Sequence, residues 1–452
     1  MRKVITYGSF DLFHEGHYNL LKRAKALGDY LIVGITTEQY DESRGKLNII
    51  DSLIDRIDHV RATGFADEII IEDHAGQKVE DIQKYNIDVF AIGSDWVGAF
   101  DFLKEYCEVV YLERTRNVSS TLLRMKNLSI IKLGIIGCGR IARRFMPEAK
   151  FVSGVSVVSV YNPHIKSAEA YAQKFELDSY TDDLEVFFEG IDAVYIASPH
   201  ETHYEYIKAA LLHHKHVLCE KPMTLKKNQA EELFKIAKES KLVLLEAIKT
   251  AYSPGFNQLI SVAKSGVIGQ VQDVEACFTR LTREELRERQ DREYGGSFTE
   301  FGSYTLLPMI KLLGTDYKEV RFDSILAENG VDLYTKVSFK YDNGFAMSKT
   351  GVGVKSEGQL IVAGTQGYIL APSPWWLTRS FEVRYEDAKK IDQHTVKFLG
   401  YGLRYEISDF VYMINGNGQR GYKLTRGESI AIAGIMERFL EQRNTTRRKA
   451  EI

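Results

Sequence analysis

The chain opens with a strand, a glycine turn and a helix, and it does so twice. The first opening is the run Val4-Ile5-Thr6-Tyr7 with a turn at Gly8, and the second runs from Ile130 to Gly137. Short β-branched runs that alternate with helical patterns are typical of βαβ units, whose parallel strands are joined through helices. The sequence therefore predicts two successive parallel α/β sheets, with a boundary near residues 126–129.

The pattern changes after about residue 246. Longer alternating strands follow, at 270–278, 331–341 and 344–352, with few helices between them. Such a pattern is typical of a mostly antiparallel sheet. An amphipathic helix is predicted over 427–442, followed by a solvated charged tail over 443–452. A chain of 452 residues is long enough for three cores of this kind.

Composition excludes several classes of function. Lys plus Arg number 59 and Asp plus Glu number 62, interspersed along the chain, so nucleic acid is not an expected partner. No apolar run approaches the roughly 18 residues of a membrane span, and the N-terminus lacks the features of a signal peptide, which predicts a cytoplasmic protein. Four cysteines without a CxxC pair are expected to be core thiols, with neither a zinc site nor disulfides: Cys107, Cys138, Cys219 and Cys277.

An HxGH motif, from His14 to His17, joins the first strand to the first helix. Two imidazoles and the amides of a helix N-terminus would face an anion there. Nucleotidyl transfer needs such groups, because it depends mostly on positioning and on neutralising phosphate charge. A second anion cradle is predicted where Arg114 precedes the hydroxyl-rich run 119–121, although such a run is also typical of an ordinary helix N-cap.

These segments resemble the glycerol-3-phosphate cytidylyltransferases of the HxGH nucleotidyltransferase superfamily, and the resemblance covers about residues 1–125. It also includes the runs 28–31, 86–90, 95–96, 100–104 and 107–112. The resemblance implies that CTP is a substrate, that His14 and His17 stabilise the transition state, and that Lys46 approaches the phosphates. Mg²⁺ is expected to bind through the triphosphate, with no protein side-chain cluster for it. The nucleotide-binding residues implied are Gly8, Ser9, Phe10, Asp11, Asp95, Arg114, Ser119, Ser120 and Thr121.

Two departures from that family are visible. Asn117 stands where the family has a glycine, and the acceptor-side stretch 41–64 matches poorly. The second departure favours an acceptor longer than glycerol phosphate.

The second opening contains a GxGxxA motif at Gly137, Gly139 and Ala142. Glycines at these positions allow a tight turn and let a pyrophosphate approach the helix amides. No acidic residue follows the next strand, where His164 and Lys166 could instead face a 2′-phosphate, which favours NADP over NAD. The predicted cofactor-binding residues are Gly137, Gly139, Arg140, Ile141, Ala142, Asn162, His164, Lys166, Ser198, His203 and Glu220.

Lys221 follows a predicted buried strand in the run Glu220-Lys221-Pro222. A lysine there can protonate a carbonyl oxygen as hydride arrives, and the alternative is an ordinary surface lysine. The runs 194–203, 215–222 and 295–304 resemble the glucose–fructose oxidoreductase/inositol dehydrogenase (Gfo/Idh/MocA) family over about residues 131–450. That resemblance implies that Lys221 is catalytic. Many members carry Asp and His where this chain has Glu300 and Tyr304. The resemblance therefore implies that Glu300 orients other groups and that Tyr304 binds substrate. The alternative for Tyr304 is an ordinary core tyrosine.

The resemblances predict an α/β protein: a Rossmann-like HxGH nucleotidyltransferase domain at 1–126, an NAD(P)-binding Rossmann domain at 130–246 and a mostly antiparallel α+β domain at 247–452. The predicted function is reduction of a ketose phosphate to an alditol phosphate, followed by CTP-dependent formation of CDP-glycerol, CDP-ribitol or CDP-glucitol for capsule or other surface polymers. In one alternative the reductase half acts on the nucleotide-linked product. In another it is a non-catalytic NADP-binding dimerisation module. A homodimer or larger homo-oligomer is expected.

Overall fold

A computed structural model describes residues 1–44, 46, 51, 53–113, 130–415 and 423–450. The predicted nucleotide-binding residues Arg114, Ser119, Ser120 and Thr121 lie outside the described residues, as does the predicted boundary at 126–129. The chain divides into two compact units, residues 1–192 and 193–452.

The first unit begins with a five-stranded parallel sheet of order β3-β2-β1-β4-β5. Apolar side chains on both faces of this sheet form two core clusters, which explains why its strands are nearly continuous apolar runs. The strand order reverses beside β1, so the crevice that receives ligands in such sheets lies at the carboxyl end of β1. The strands are Lys3–Gly8 (β1), Tyr30–Thr36 (β2), Glu68–Glu72 (β3), Val89–Gly93 (β4) and Glu108–Leu112 (β5), and the helices are Glu15–Lys25 (α1), Glu38–Ser43 (α2), Leu53–Ala62 (α3) and Gln77–Tyr85 (α4).

The first unit continues with three more parallel strands, β6, β7 and β8. The strand, glycine turn and helix predicted at residue 130 are confirmed as β6, the turn at Gly137 and α5. Gly134 allows close packing, because a Cβ there would lie 2.5 Å from the ring of Phe187. The elements are Ile131–Ile136 (β6), Arg140–Ala149 (α5), Val155–Tyr161 (β7), Ile165–Phe175 (α6), Ser179–Thr181 (β8) and Leu184–Glu189 (α7).

The second unit begins with three parallel strands, in which β10 pairs with both β9 and β11. Helices α8 and α9 connect them, and two further helices follow. The elements are Ala193–Ile196 (β9), His203–Leu212 (α8), His216–Glu220 (β10), Lys227–Glu239 (α9), Leu244–Ala247 (β11), Lys249–Tyr252 (α10) and Pro254–Lys264 (α11).

An eight-stranded sheet of order β13-β14-β15-β12-β16-β17-β18-β19 forms the rest of the second unit. It is mostly antiparallel, as predicted, and β12 with β15 is its parallel pair. The long helix α13 packs on β12, β14 and β15. The elements are Val271–Thr279 (β12), Arg287–Gln290 (α12), Ser297–Leu313 (α13), Glu319–Leu326 (β13), Asp332–Tyr341 (β14), Gly344–Gly351 (β15), Leu360–Gly364 (β16), Gly367–Ala371 (β17), Ser380–Tyr385 (β18), Ile391–Thr395 (β19), Leu403–Ile414 (α14) and Arg426–Ala450 (α15).

The prediction of a solvated tail beginning at Arg443 is wrong. Helix α15 extends to Ala450, and Arg443 is buried with Nη1 3.1 Å from Oδ1 of the buried Asp332. The other oxygen of Asp332 accepts a hydrogen bond from the Phe298 amide at 2.9 Å and so caps the N-terminus of α13. A Cβ at Gly296 would lie 1.9 Å from Asp332, so glycine is required beside this ion pair.

All four cysteines are free thiols, of which Cys219 and Cys277 are buried and Cys107 and Cys138 are half-buried. Over the described ranges, no helix has both the length and the apolarity needed to cross a bilayer. The same ranges contain no group of three or more His, Cys, Asp or Glu residues arranged to hold a metal ion.

Candidate active sites

The loop between β1 and α1 brings the two predicted histidines together. Their ring centroids are 3.9 Å apart and their planes differ by 20°. His14 is the N-cap of α1, and its Nδ1 accepts a hydrogen bond from the Gly16 amide at 3.0 Å. In a neutral imidazole one ring nitrogen accepts a hydrogen bond and the other donates one. Because Nδ1 of His14 accepts, its Nε2 can present an N–H group to a ligand.

Burial of the His17 ring, together with His14 and Lys46, lowers its pKa well below the usual value. His17 is therefore neutral at physiological pH, which allows the two rings to stack without charge repulsion. Its Nδ1 is buried without a hydrogen-bond partner in the structure. A neutral imidazole with an unused polar atom in a loop at a helix N-terminus suits a phosphate ligand.

The predicted loop residues Ser9, Phe10 and Asp11 are arranged by a second segment of the chain. Asp11 Oδ1 accepts from the Asp51 amide at 2.8 Å, and Asp51 in turn accepts from the Leu12 amide at 3.1 Å. Phe10 and Leu12 have φ of 51° and 47°, a left-handed conformation that is unfavourable for such residues. The fold therefore holds this loop in one strained shape, as is common at functional sites.

Cationic side chains converge on the same loop. Lys46 donates a hydrogen bond to Ser9 Oγ, and burial lowers its pKa although Asp41 and Asp11 oppose that shift. Arg56 is fully buried and donates to the carbonyls of Ser9 and Thr36 at 2.9 and 2.8 Å. Sequence reasoning missed Arg56, because it lies in the stretch 41–64 that matches the related family poorly.

The two histidines, the loop residues 9–11 and Lys46 line a cleft of about 750 Å³, together with Gly8, Arg44, Lys78 and Asp95. Asp95, which was predicted to bind the nucleotide, lies in this cleft, and its carboxylate is 3.0 Å from Lys150 Nζ. Arg44 is paired with Asp41 at 2.5 Å. Stacked imidazoles, cations and an exposed crevice give an arrangement that can hold a triphosphate and neutralise the charge that develops during transfer.

The glycine turn after β6 fits a dinucleotide pyrophosphate. Gly137 has φ of 103°, which favours glycine, and a Cβ added to Gly139 would meet no atom within 4 Å. No side chain caps α5, so its first amides remain available to an anion. Ala142 is buried, and its carbonyl accepts from Tyr171 Oη at 2.7 Å, while Arg140 is exposed. Ile141, also predicted, occupies the same first turn and is half-buried.

The end of β7 carries the residues predicted to face the adenosine ribose. Asn162 Oδ1 accepts from the His164 amide at 2.9 Å, and His164 is the N-cap of α6. Both His164 and Lys166 are exposed, so they can approach a 2′-phosphate. Arg143 was not predicted; its Nε donates to the Cys138 carbonyl at 3.3 Å and places a further guanidinium beside the glycine turn.

The second unit brings Lys221, Glu300 and Tyr304 into one site. Lys221 Nζ donates to the Glu300 carbonyl at 2.9 Å and is 3.5 Å from Glu300 Oε2. Glu300 and Tyr304 are one turn apart on α13, and Lys221 Nζ is 5.8 Å from the Tyr304 ring centroid. Burial raises the pKa of Tyr304 well above its usual value, so the phenol stays protonated and can donate a hydrogen bond.

His200 completes this site, although it was not among the predicted site residues. Its Nε2 is 3.7 Å from Glu300 Oε1, and its buried Nδ1 has no hydrogen-bond partner among the residues that the structure describes. Burial, with Lys221 as the next cause, lowers the pKa of His200 well below its usual value. The signal for His200 was its position directly after Ser198-Pro199, at the carboxyl end of β9.

Two residues that were predicted to bind the cofactor, His203 and Glu220, contact other protein groups near Lys221. His203 places its ring nitrogens 2.9 Å from the Pro222 carbonyl and 3.0 Å from the Ser198 carbonyl, so the ring is occupied within the protein. Burial lowers its pKa to about 4. Glu220 is buried and accepts from Tyr195 Oη at 2.7 Å. These contacts give His203 and Glu220 the roles of positioning residues.

An aromatic stack forms the apolar side of the site around Lys221 and Tyr304. Phe278 stacks on Trp376 at 3.6 Å and on Phe301 at 4.3 Å, and it lies 5.3 Å from the Tyr304 ring. Aromatic walls with a few convergent polar groups are typical of small-molecule sites.

Together, the fold and the two constellations define an enzyme that carries a nucleotidyltransferase site and an oxidoreductase site in one chain. Comparison with protein families gives the particular classes. Residues 5–131 match the model "Cytidylyltransferase-like", residues 131–247 match "Oxidoreductase family, NAD-binding Rossmann fold", and residues 256–370 match "GFO/IDH/MocA C-terminal domain". The chain belongs to the cytidylyltransferase family through its N-terminal part, and its residues 131–247 and 256–370 match models of the GFO/IDH/MocA oxidoreductase family.

Individual relatives follow the same division. Glycerol-3-phosphate cytidylyltransferase of Bacillus spizizenii is 50% identical over 130 residues, which are 29% of this chain and 100% of that protein. A scyllo-inositol 2-dehydrogenase (NADP(+)) of Bacillus subtilis is 28% identical over 323 residues, 69% of this chain and 97% of that protein. A crystal structure of a 3-ketoreductase from Actinomadura kijaniata with NADP and TDP-benzene shares the fold, with a TM-score of 0.59 at 22% identity over 68% of this chain and 96% of that one.

Proposed function

We propose that the chain reduces a phosphorylated ketose with NAD(P)H to an alditol phosphate and then couples that product to CTP, giving a CDP-alditol and pyrophosphate. The observation that carries this proposal is the contact of Lys221 Nζ with Glu300 beside Tyr304, since a proton donor held in this way suits carbonyl reduction. The same contact favours an active reductase over a non-catalytic dimerisation module.

When bound, NAD(P)H would supply the hydride for the carbonyl carbon. Lys221 delivers the proton to the carbonyl oxygen, Tyr304 donates a hydrogen bond to the substrate, and Glu300 orients Lys221. His164 and Lys166 at the start of α6, without an acidic residue at the end of β7, support NADP as the preferred cofactor. The scyllo-inositol dehydrogenase relative, whose name specifies NADP, supports the same preference.

In the transfer, a phosphate oxygen of the alditol phosphate attacks the α-phosphorus of CTP and pyrophosphate leaves. His14, His17 and Lys46 neutralise the charge on the phosphates, and Mg²⁺ bound by the triphosphate assists them. Joining the two steps is chemically economical, because the first makes the alditol phosphate that the second couples to CTP. CDP-alditols of this kind would supply polyol phosphate to capsule or other surface polymers.

The test uses the Lys221→Met variant with a ketose phosphate, CTP, Mg²⁺ and NADPH. We expect wild-type enzyme to release pyrophosphate only when NADPH is present, and the variant to release none. Authentic alditol phosphate should restore pyrophosphate release by the variant to the wild-type rate, because its defect lies in the reductase site. Failure of this rescue, or pyrophosphate release from ketose phosphate without NADPH, would contradict the proposed sequence and favour oxidation of a nucleotide-linked product.

A further inference from the structure

The cleft that contains His14 and His17 has a second wall, made by residues that follow the cytidylyltransferase-like segment. That wall consists of side chains from the start of the oxidoreductase part, all of which line the same 750 Å³ cleft: Lys132, Lys150, Phe151, Ser153, Ser156 and Ser179. We call this set the second wall. It offers hydroxyl and ammonium groups beside one aromatic ring, which is a surface suited to a polyhydroxylated ligand.

The second wall lies at the amino ends of three parallel strands. Lys132 is the second residue of β6, Ser156 the second residue of β7, and Ser179 the first residue of β8. The glycine turn at Gly137 follows the carboxyl end of β6 and is therefore at the opposite edge. The second wall and the glycine turn therefore lie at opposite edges of these strands.

Contacts with Lys150, Phe151 and Glu176 attach the loop after β4 to the oxidoreductase part. Lys150 Nζ is 3.0 Å from the Asp95 carboxylate and donates to the Asp95 carbonyl at 3.1 Å. Trp96 meets Phe151 edge-on at 6.0 Å between ring centroids, and Ser94 Oγ donates to Glu176 at 2.7 Å. This loop carries Asp95, which was predicted to bind the nucleotide. It is therefore positioned by residues outside the cytidylyltransferase-like segment.

Single-domain relatives have no equivalent of this wall. The Bacillus spizizenii enzyme is matched over its whole length by 130 residues of this chain, and the cytidylyltransferase-like segment ends at residue 131. Residues 132–179 consequently add a surface that the glycerol-3-phosphate enzyme lacks.

We propose that the second wall is the binding site for the polyol chain of the acceptor, and that it selects an alditol phosphate of five or six carbons over glycerol phosphate. This inference rests on the proposed function. The acceptor phosphate must lie beside His14 and His17 to attack CTP, so a longer hydroxylated chain extends along the cleft. In this proposal Lys150 and Ser156 contact the hydroxyl groups farthest from the phosphate, which glycerol phosphate lacks.

The test compares acceptors within each enzyme variant. With saturating CTP and Mg²⁺, kcat/KM is measured for glycerol phosphate, ribitol phosphate and glucitol phosphate. We expect Lys150→Ala to lower the ratio of ribitol phosphate to glycerol phosphate about tenfold, since it removes a charged hydrogen-bond donor. Ser156→Phe should lower the same ratio further by filling the cleft. Lys235→Ala, on the exposed face of α9, is the matched control and should leave the ratio unchanged.

The outcomes separate the inference from the function on which it rests. NADPH oxidation by each variant reports that the fold is intact. If wild-type enzyme uses ribitol or glucitol phosphate and both variants keep its full preference, the second wall does not select the acceptor and the inference is overturned while the proposed function stands. If wild-type enzyme uses none of the acceptors, the proposed function itself fails, and the inference with it.

Discussion

Glu246 is a buried carboxyl group on β11 whose ionisation should control the stability of the second unit. Only 2% of its surface is exposed, and its Oε1 accepts from the Met223 amide at 3.0 Å, just after Lys221-Pro222. Burial raises its pKa from the ordinary 4.5 to about 7, with neighbouring Glu220 adding to the shift and the Met223 and Ser429 hydrogen bonds opposing it. The folded state therefore keeps a proton that the unfolded state has lost.

The change of stability with pH follows from the linkage between proton binding and folding. Below pH 4.5 both states are protonated, and between pH 4.5 and 7 only the folded state is, so stability falls as pH rises through this window and stays lower above it. The difference between 4.5 and 7 corresponds to about 3 kcal/mol. Glu246→Gln cannot ionise. Its stability relative to wild type should rise by about 3 kcal/mol from pH 5 to pH 8, or about 6–12 °C in Tm.

Thermal unfolding followed by circular dichroism at pH 5, 6, 7 and 8 measures this difference. Any cost of the amide itself is the same at every pH, so only the change in the Tm difference counts. Glu239→Gln, at an exposed site on α9, should show a constant difference from wild type. A constant difference for Glu246→Gln as well would refute the assignment of a raised pKa to this carboxyl group.

Three further predictions test other parts of the molecule. His14→Ala or His17→Ala should lower pyrophosphate release about 10²–10³-fold and leave NADPH oxidation unchanged, as two separate spectrophotometric assays would show; full transfer by either variant would contradict the assignment. EDTA should abolish pyrophosphate release and spare NADPH oxidation, because the triphosphate needs Mg²⁺ and hydride transfer does not; equal inhibition would count against a metal-free reduction. Asp332→Ala should destabilise the fold by about 3–5 kcal/mol in urea titrations, since it leaves Arg443 buried without its carboxylate; an unchanged midpoint would show that the pair contributes little.

Local sequence patterns predicted most of the fold. The strands near 4, 30, 68, 89 and 109 and the turn at Gly137 were predictable, because an apolar run and a glycine are local signals. Arg443 was not, because its partner Asp332 is 111 residues away and a charged residue near a chain end normally signals exposure. Long-range pairing of this kind leaves no periodic trace in the sequence.

The candidate sites divide in the same way. Lys221, Glu300 and Tyr304 were predicted from short motifs, and the structure brings them together on β10 and α13. His200 was missed because its role depends on proximity to Glu300, which lies 100 residues further along the chain. Likewise, the contact of Lys150 with Asp95 joins two parts of the first unit that sequence analysis had treated as separate domains.

The position of the cleft also bears on how the two proposed reactions communicate. Helices α5 and α6 begin at the glycine turn and at His164, beside the proposed dinucleotide site, and they end at Lys150 and Glu176, which contact the loop after β4. At about 1.5 Å per residue, the ten residues of α5 separate its two ends by about 15 Å. The glycine turn and the cleft are therefore at opposite ends of these helices. Lys221 belongs to the second unit, whereas the residues that line the cleft belong to the first unit. Added alditol phosphate should therefore restore pyrophosphate release by the Lys221→Met variant.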